Sequence, residues 1–517
     1  DCLTLRAVTC NSRVFFNFRG VNLMTKKAVD KDLKRFVQLE RATLSVGRRN
    51  INLGLGLLFL VAVWIFASFH HTGTEGSIVL IVAAVIGGYM ALNIGANDVA
   101  NNVGPAVGSK AITLVGALII AAIFEAAGAI IAGGDVVTTI SKNIIDTEAV
   151  ASKSVFIWAM MAALLSAALW VNLATWIGAP VSTTHSIVGG VMGAGIASAG
   201  FSAVNWFVMG KIAASWVISP IMGGAIAASF LAFVTYFVLY KEDKIAASKT
   251  WVPVLVSIMA GAFSVYLVMK GLKRIWKVDI ELALVIGLVA FVISYLIVKP
   301  AVAKASAKLE NRGKSVSELF TIPLICAAAL LSFAHGANDV ANAVGPLAAI
   351  VGAITEGTVA AKVTLPIWVL TIGALGIAVG LVLYGPKIIE IVGEKITKLN
   401  RVRAFCVALS AAITVIIAST LGLPVSSTHI AVGGVFGVGF FREFIANKER
   451  KKFRQMLNKD EQVLEDDSKS LSSSNKITKR KLVRRSHLMT ILAAWVITVP
   501  SAAILSGLIF FGLIYLF

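Results

Sequence analysis

Long apolar runs alternate with short polar, charge-bearing stretches from residue 51 to the end of the chain. The runs fall near 51–69, 77–108, 112–133, 155–176, 179–200, 207–239, 251–269, 281–298, 319–350, 363–383, 404–421, 424–441 and 488–517. Most of these thirteen match or exceed the roughly 18–20 residues that a helix needs to cross a bilayer. The pattern predicts an all-α polytopic membrane protein with about 12–13 transmembrane segments. The polar, basic stretch 1–50 is set apart from this array as an N-terminal tail. Within it, residues 1–23 have the look of a transit-peptide remnant or translated upstream sequence, and Met24 of a natural start.

Two apolar runs carry the same polar interruption. Gly95-Ala96-Asn97-Asp98-Val99-Ala100-Asn101-Asn102-Val103-Gly104-Pro105 returns as Gly336-Ala337-Asn338-Asp339-Val340-Ala341-Asn342-Ala343-Val344-Gly345-Pro346. Gly and Pro at membrane depth predict a broken helix in each, tolerated where backbone is buried in protein or lines a wet cavity. An acid there marks a functional site. A second motif also recurs: Pro180-Val181-Ser182-Thr183-Thr184-His185 and Pro424-Val425-Ser426-Ser427-Thr428-His429. The duplication divides the chain into an additional helix 51–69, a first repeat 77–240, connecting helices and loops 241–318, and a second repeat 319–517.

Charge then fixes direction. The insertion 442–487 carries about twice as many Lys and Arg as Asp and Glu, and 25–50 is also strongly basic, so both belong on the cytoplasmic side. Stretches 241–250, 299–317 and 386–403 fall inside on the same count, and 134–154 outside. Only 270–278, expected outside, breaks the rule with Lys270, Lys273, Arg274 and Lys277. The two motif-bearing segments are the second and the ninth, so they cross in opposite directions, as inverted-topology repeats with broken helices do. The insertion, with Ser470 and Ser472–Ser474, reads as a flexible or partly helical linker.

Composition agrees: 57% hydrophobic, 14% charged, mean hydropathy +0.85. The net charge of +20 sits in loops, where it sets topology rather than binding nucleic acid. Cys2, Cys10, Cys326 and Cys406 show no metal or redox spacing. No zinc cluster, nucleotide loop or activated nucleophile is present, so the chain does not read as an enzyme and needs no cofactor.

Three consecutive hydroxyls at the start of a helix exceed what capping requires and suit an anion, with hydroxyl and amide donors pointing the same way. Asp98 and Asp339 oppose that. At about 6 Å and an effective dielectric of ~20, carboxylate and anion repel by roughly 3 kcal/mol. A cation or proton arriving with the anion removes the penalty, and Asp and Asn oxygens are hard ligands suited to it. Such mutual help defines a symporter. Glu125, a further buried acid, is a coupling candidate, the alternative being a carboxyl bonded across helices. His185, His429, Trp216 and Trp495 read as packing residues.

On these motifs the chain resembles the inorganic phosphate transporter (PiT) family, over roughly 77–517. The spelling Asn101-Asn102-Val103-Gly104-Pro105-Ala106-Val107-Gly108-Ser109-Lys110 looks like bacterial and plastid members. The resemblance implies import of inorganic phosphate with Na+ or H+ by alternating access. Rivals are a sulfate permease of the same fold and a passive phosphate channel. Phosphate would fall to Asn97, Ser182, Thr183, Thr184, Asn338, Ser426, Ser427 and Thr428. The cation would fall to Asp98, Asn101, Asp339 and Asn342, with sodium at Asp98 and Asp339. The bacterial inner membrane is the expected home, the plastid inner envelope the alternative, and a homodimer is left open. Ala408 stands where animal members of the family have a second intramembrane glutamate balancing the one matched by Glu125.

Overall fold

Backbone in hydrocarbon must satisfy its own hydrogen bonds, and each apolar run does so as a helix. The structure, a computed structural model, describes residues 50–70, 76–146, 149–179, 181–271, 278–355, 365–395, 399–464 and 485–517. The N-terminal tail to residue 49, with Met24, Cys2 and Cys10, lies outside the described residues. So do most of the basic stretch 270–278 and the serine cluster at 470–474.

The helices are α1 (Asn50–His70), α2 (Ser77–Gly108), α3 (Leu114–Ala132), the short α4 (Gly134–Thr138), α5 (Lys153–Ile177), α6 (Thr183–Ala199) and α7 (Trp206–Val234). They continue as α8 (Lys244–Tyr266), α9 (Ile280–Ser306), the short α10 (Gly313–Leu319), α11 (Thr321–Thr355), α12 (Ile367–Lys395), α13 (Arg401–Thr420), α14 (Ser427–Leu464) and α15 (Arg485–Leu516). Among the described residues, 12 helices are long and apolar enough to cross a membrane. The chain is an all-helical polytopic membrane protein. The body runs from Gly56 to Phe517; of the preceding unit only the opening turns of α1 are described.

Two expectations change. First, the run 179–200 supplies none of those 12 helices. It yields α6, 17 residues long, or about 26 Å at 1.5 Å per residue. Asp146 N donates to Ala203 O and Asn205 N to Ile144 O, so α6 returns to the end of the molecule from which α5 departs. Second, the Gly-Ala-Asn-Asp stretches are not breaks. Both α2 and α11 run through their motifs as continuous helix, Pro105 and Pro346 included. Glycine serves here to bring backbones together. A Cβ on Gly336 would overlap the carbonyl oxygen of Glu125 on α3, and one on Gly95 that of Ile377 on α12. The breaks fall instead between α5 and α6 and between α13 and α14, ahead of the hydroxyl motifs. The insertion 442–487, expected to be flexible or partly helical, begins as helix: α14 continues to Leu464, and Glu449 Oε1 accepts from the Tyr240 hydroxyl at 2.6 Å.

At the centre α2 packs on α11; α11 is almost wholly buried, and α2 is buried over most of its length. Gly87 meets Leu347 while Asp98 lies level with His335, so the two helices run antiparallel. Around them α3 packs on α11 and α12 on α2.

Candidate functional site

An Asn one residue before each Asp builds the site's frame. Asn97 Nδ2 donates to Thr175 Oγ1 (3.0 Å) and Ala179 O (3.4 Å), and its Oδ1 accepts from Val181 N (3.3 Å). Asn338 does the same on the other side, with Ser419 Oγ (2.9 Å), Leu423 O (3.2 Å) and Val425 N (3.3 Å). Each Asn thus satisfies backbone freed where the chain turns between two helices. Turned over, the Asn97 amide nitrogen would reach Val181 O (3.1 Å) and Asp98 Oδ1 (3.3 Å). The orientation shared with Asn338 is the more consistent one.

The turns deliver the hydroxyls. Ser182 caps α6 by accepting from His185 N (3.1 Å), and Ser426 accepts from His429 N (3.3 Å). One hydroxyl per motif therefore serves as a cap. The next two reach the acids. Thr183 Oγ1 donates to Asp98 Oδ2 (2.9 Å), and Ser427 Oγ donates to Asp339 Oδ2 (3.3 Å). Others cross between halves. Thr428 Oγ1 donates to Asp98 Oδ1 (3.1 Å) and accepts from Asn101 Nδ2 (2.8 Å). Asn342 Nδ2 donates to Thr184 Oγ1 (3.1 Å) and Thr183 Oγ1 (3.3 Å), while the Thr184 hydroxyl donates to Val425 O (2.9 Å). Residues far apart in the chain share one buried centre, with Asp98 and Asp339 each only 1% exposed.

The sequence reading overlooked His335. Its Nε2 lies 3.0 Å from Asp339 Oδ2 and 3.9 Å from Asp98 Oδ2, and its Nδ1 lies 3.2 Å from Glu125 Oε2. Asn102 Nδ2 donates to Glu125 Oε1 at 2.7 Å. The clue was a mismatch between the copies, since Ile94 and Ala343 stand where the other half has His335 and Asn102. Asp98, His335 and Asp339 together present three ligand atoms close enough to hold one ion. Among the described residues no Lys or Arg side chain pairs with Asp98, Glu125 or Asp339, and the His335 ring is the basic group that faces all three carboxyls.

Ala408, buried on α13, is not the packing partner of Glu125's place in the other half; that position is Ile377 on α12. Behind the centre, His185 packs against His429 (ring centroids 4.4 Å apart) and Trp216 (3.8 Å). The Trp216 indole donates to Pro424 O (3.1 Å), so these rings support the hydroxyl motifs from outside.

Comparison with known proteins places this arrangement. Residues 94–506 match the model of the Phosphate transporter family. A Helicobacter pylori (strain J99) protein described as a phosphate permease is 47% identical over 525 residues, covering 93% of this chain and 98% of that protein. One from Pyrococcus abyssi, described the same way, is 37% identical over 434 residues, covering 83% and 97%. A solved structure titled "The sodium-dependent phosphate transporter" aligns with a TM-score of 0.74 at 34% identity, over 85% of this chain and all (100%) of that one. With its matched hydroxyl and carboxylate sets on a shared helical scaffold, the chain belongs to the phosphate transporter family, whose members are membrane transporters rather than enzymes.

Proposed function

We propose that this chain imports inorganic phosphate by symport with sodium ions or protons, alternating access between two inverted repeats, 77–240 and 319–517. The antiparallel packing of α2 on α11 supports the inversion, and the name of the similar solved structure makes sodium the first ion to test. Phosphate falls to Thr183, Thr184, Ser427 and Thr428, with Ser182 and Ser426 offering their remaining O–H. Asn97 and Asn338 act from the frame. Cations fall to Asp98 and Asp339, with Asn101 and Asn342 beside them. The bacterial inner membrane is the proposed location.

One observation carries the reading: Asp98 accepts hydroxyls from both halves, Thr183 at 2.9 Å and Thr428 at 3.1 Å. A hydroxyl has one proton to give. While it is directed to a carboxylate, it cannot stabilise a phosphate oxygen. A cation seated on the carboxylate satisfies the same lone pairs, and the hydroxyls turn to the anion. Cation and phosphate then bind better together than apart, which couples their movement. Uptake of radiolabelled phosphate into proteoliposomes, with Na+ and pH gradients imposed separately, tests this. Concentrative uptake that collapses with one gradient is expected. Uptake that only equilibrates, whatever gradient is set, indicates a channel, and equal competition by sulfate a broader permease.

A further inference from the structure

Two faces of the centre that ought to match do not. Gly336 lies against the backbone of Glu125 as Gly95 lies against that of Ile377, and Gly128 meets Phe333 as Gly380 meets Leu92. These paired approaches make Ile377 the counterpart of Glu125. The spacing of the copies makes Ile94 the counterpart of His335, and Ala343 that of Asn102. One face therefore carries Asn102, Glu125 and His335, and the other Ala343, Ile377 and Ile94, with all six side chains fully buried. The remaining central positions are paired in kind: Asp98 with Asp339, Asn101 with Asn342, Thr183 with Ser427, Thr184 with Thr428.

The apolar twin is an internal control. It shows that hydrocarbon side chains fill this place, so packing alone does not call for three buried polar groups, which cost free energy unless fully satisfied. The polar set forms a chain. Asn102 holds one oxygen of Glu125 at 2.7 Å, and the other oxygen stands 3.2 Å from His335 Nδ1. Neither ring nitrogen nor that Glu125 oxygen has a hydrogen-bond partner among the described residues, so the ring is oriented here by proximity and packing rather than by a formed bond. Its Nε2 lies 3.0 Å from Asp339 Oδ2 and 3.9 Å from Asp98 Oδ2. A carboxylate on one imidazole nitrogen is the arrangement by which proteins aim the other at a cation.

We infer that His335 Nε2, with Asp98 and Asp339, forms a cation seat that has no twin in the other half, and that Glu125 and Asn102 are positioning residues for His335. The inference rests on the symport reading and makes its two halves unequal. Cation binding draws on one extra ligand at the α2–α3–α11 junction, while the phosphate donors remain matched.

The test uses the purified full chain. Thermal unfolding in NaCl against choline chloride at one scan rate, and proteoliposome uptake against Na+ concentration, are measured for Glu125→Gln, His335→Gln and their combination. Each single change should raise the half-saturating Na+ tenfold or more. The phosphate KM at saturating Na+ should shift less than threefold, and the Na+-induced rise in Tm should shrink. The double variant should lie within twofold of His335→Gln, because Glu125 acts through that ring. A triple variant, Asn102→Ala with Glu125→Ile and His335→Ile, copies the apolar face. It should fold, with Tm in choline at or above the parent's, and lose the Na+ shift. Ile94→Val and Ile377→Leu, on the twin face, should leave half-saturating Na+ within twofold. Multiplying effects in the double variant, a phosphate KM that rises as far as the Na+ requirement, or a triple variant that keeps its Na+ shift each overturn the inference. So does a wild type that Na+ neither stabilises nor drives. Sodium-driven uptake with unshifted variants overturns this inference alone, whereas uptake indifferent to every ion gradient overturns the symport reading itself.

Discussion

Asp98 is the residue on which both halves converge, since it accepts from Thr183, Thr428 and Asn101. Asp98→Asn keeps the shape but removes the charge a cation would neutralise. Both it and Asp339→Asn should lower coupled uptake at least tenfold, about 1.4 kcal/mol or more, with near-normal amounts of folded protein. Wild-type initial rates in either variant would refute the assigned roles. Ser427 donates to Asp339 rather than capping the helix. Ser427→Ala should therefore raise the phosphate KM more than the half-saturating cation concentration, and an equal or reversed change in a two-substrate titration would contradict its placement. At this scale the duplicated motifs were plain in the sequence, because residue types and spacing recur. His335 was not, because a lone histidine beside a motif carries meaning only through what faces it.

Glycines set how closely the helices approach. Gly336 lets α11 rest on the α3 backbone at Glu125, so Gly336→Ala forces the pair apart and should cost about 1–3 kcal/mol or more, as overpacking does. A lower Tm than the parent at matched scan rate checks this, and an unchanged Tm would show that the approach is not tight. Lys270 opens the one basic stretch that defied the charge rule, and its own charge has a partner. It pairs with Asp135 of α4 and donates to Thr420 O at the end of α13 (3.1 Å), so its charge is spent on joining elements. Lys270→Ala should lower Tm by a few degrees, and the swap Lys270→Asp with Asp135→Lys should recover part of the loss; a swap no better than the single change would argue against the pair. The lengths of most helices were legible from hydropathy. The site of the breaks was misjudged because Gly and Pro signal both a kink and a close packing contact, and only the neighbouring backbone distinguishes them.

Across the molecule, α2 and α11 form the axis, and two helical hairpins, α5–α6 and α13–α14, bring their tips to it. Each tip is tied by an Asn from the axis of its own half, and its hydroxyls reach the acid or amide of the other half. Neither half completes the centre alone. Co-expressed separate halves that reassemble should regain concentrative uptake, whereas either half alone should show none above empty liposomes.

Hydropathy, the charge of the loops and two duplicated motifs determined the helical membrane class, the family, and the hydroxyl and carboxylate residues of the centre. These depend on composition and local spacing, which the chain carries in one dimension. The unbroken course of α2 and α11, the displaced breaks, and the joining of His335 to Glu125 and both aspartates were decided only by tertiary packing. The physical reason is that a buried polar side chain takes its role from the partner that satisfies it, and here those partners lie up to 330 residues away.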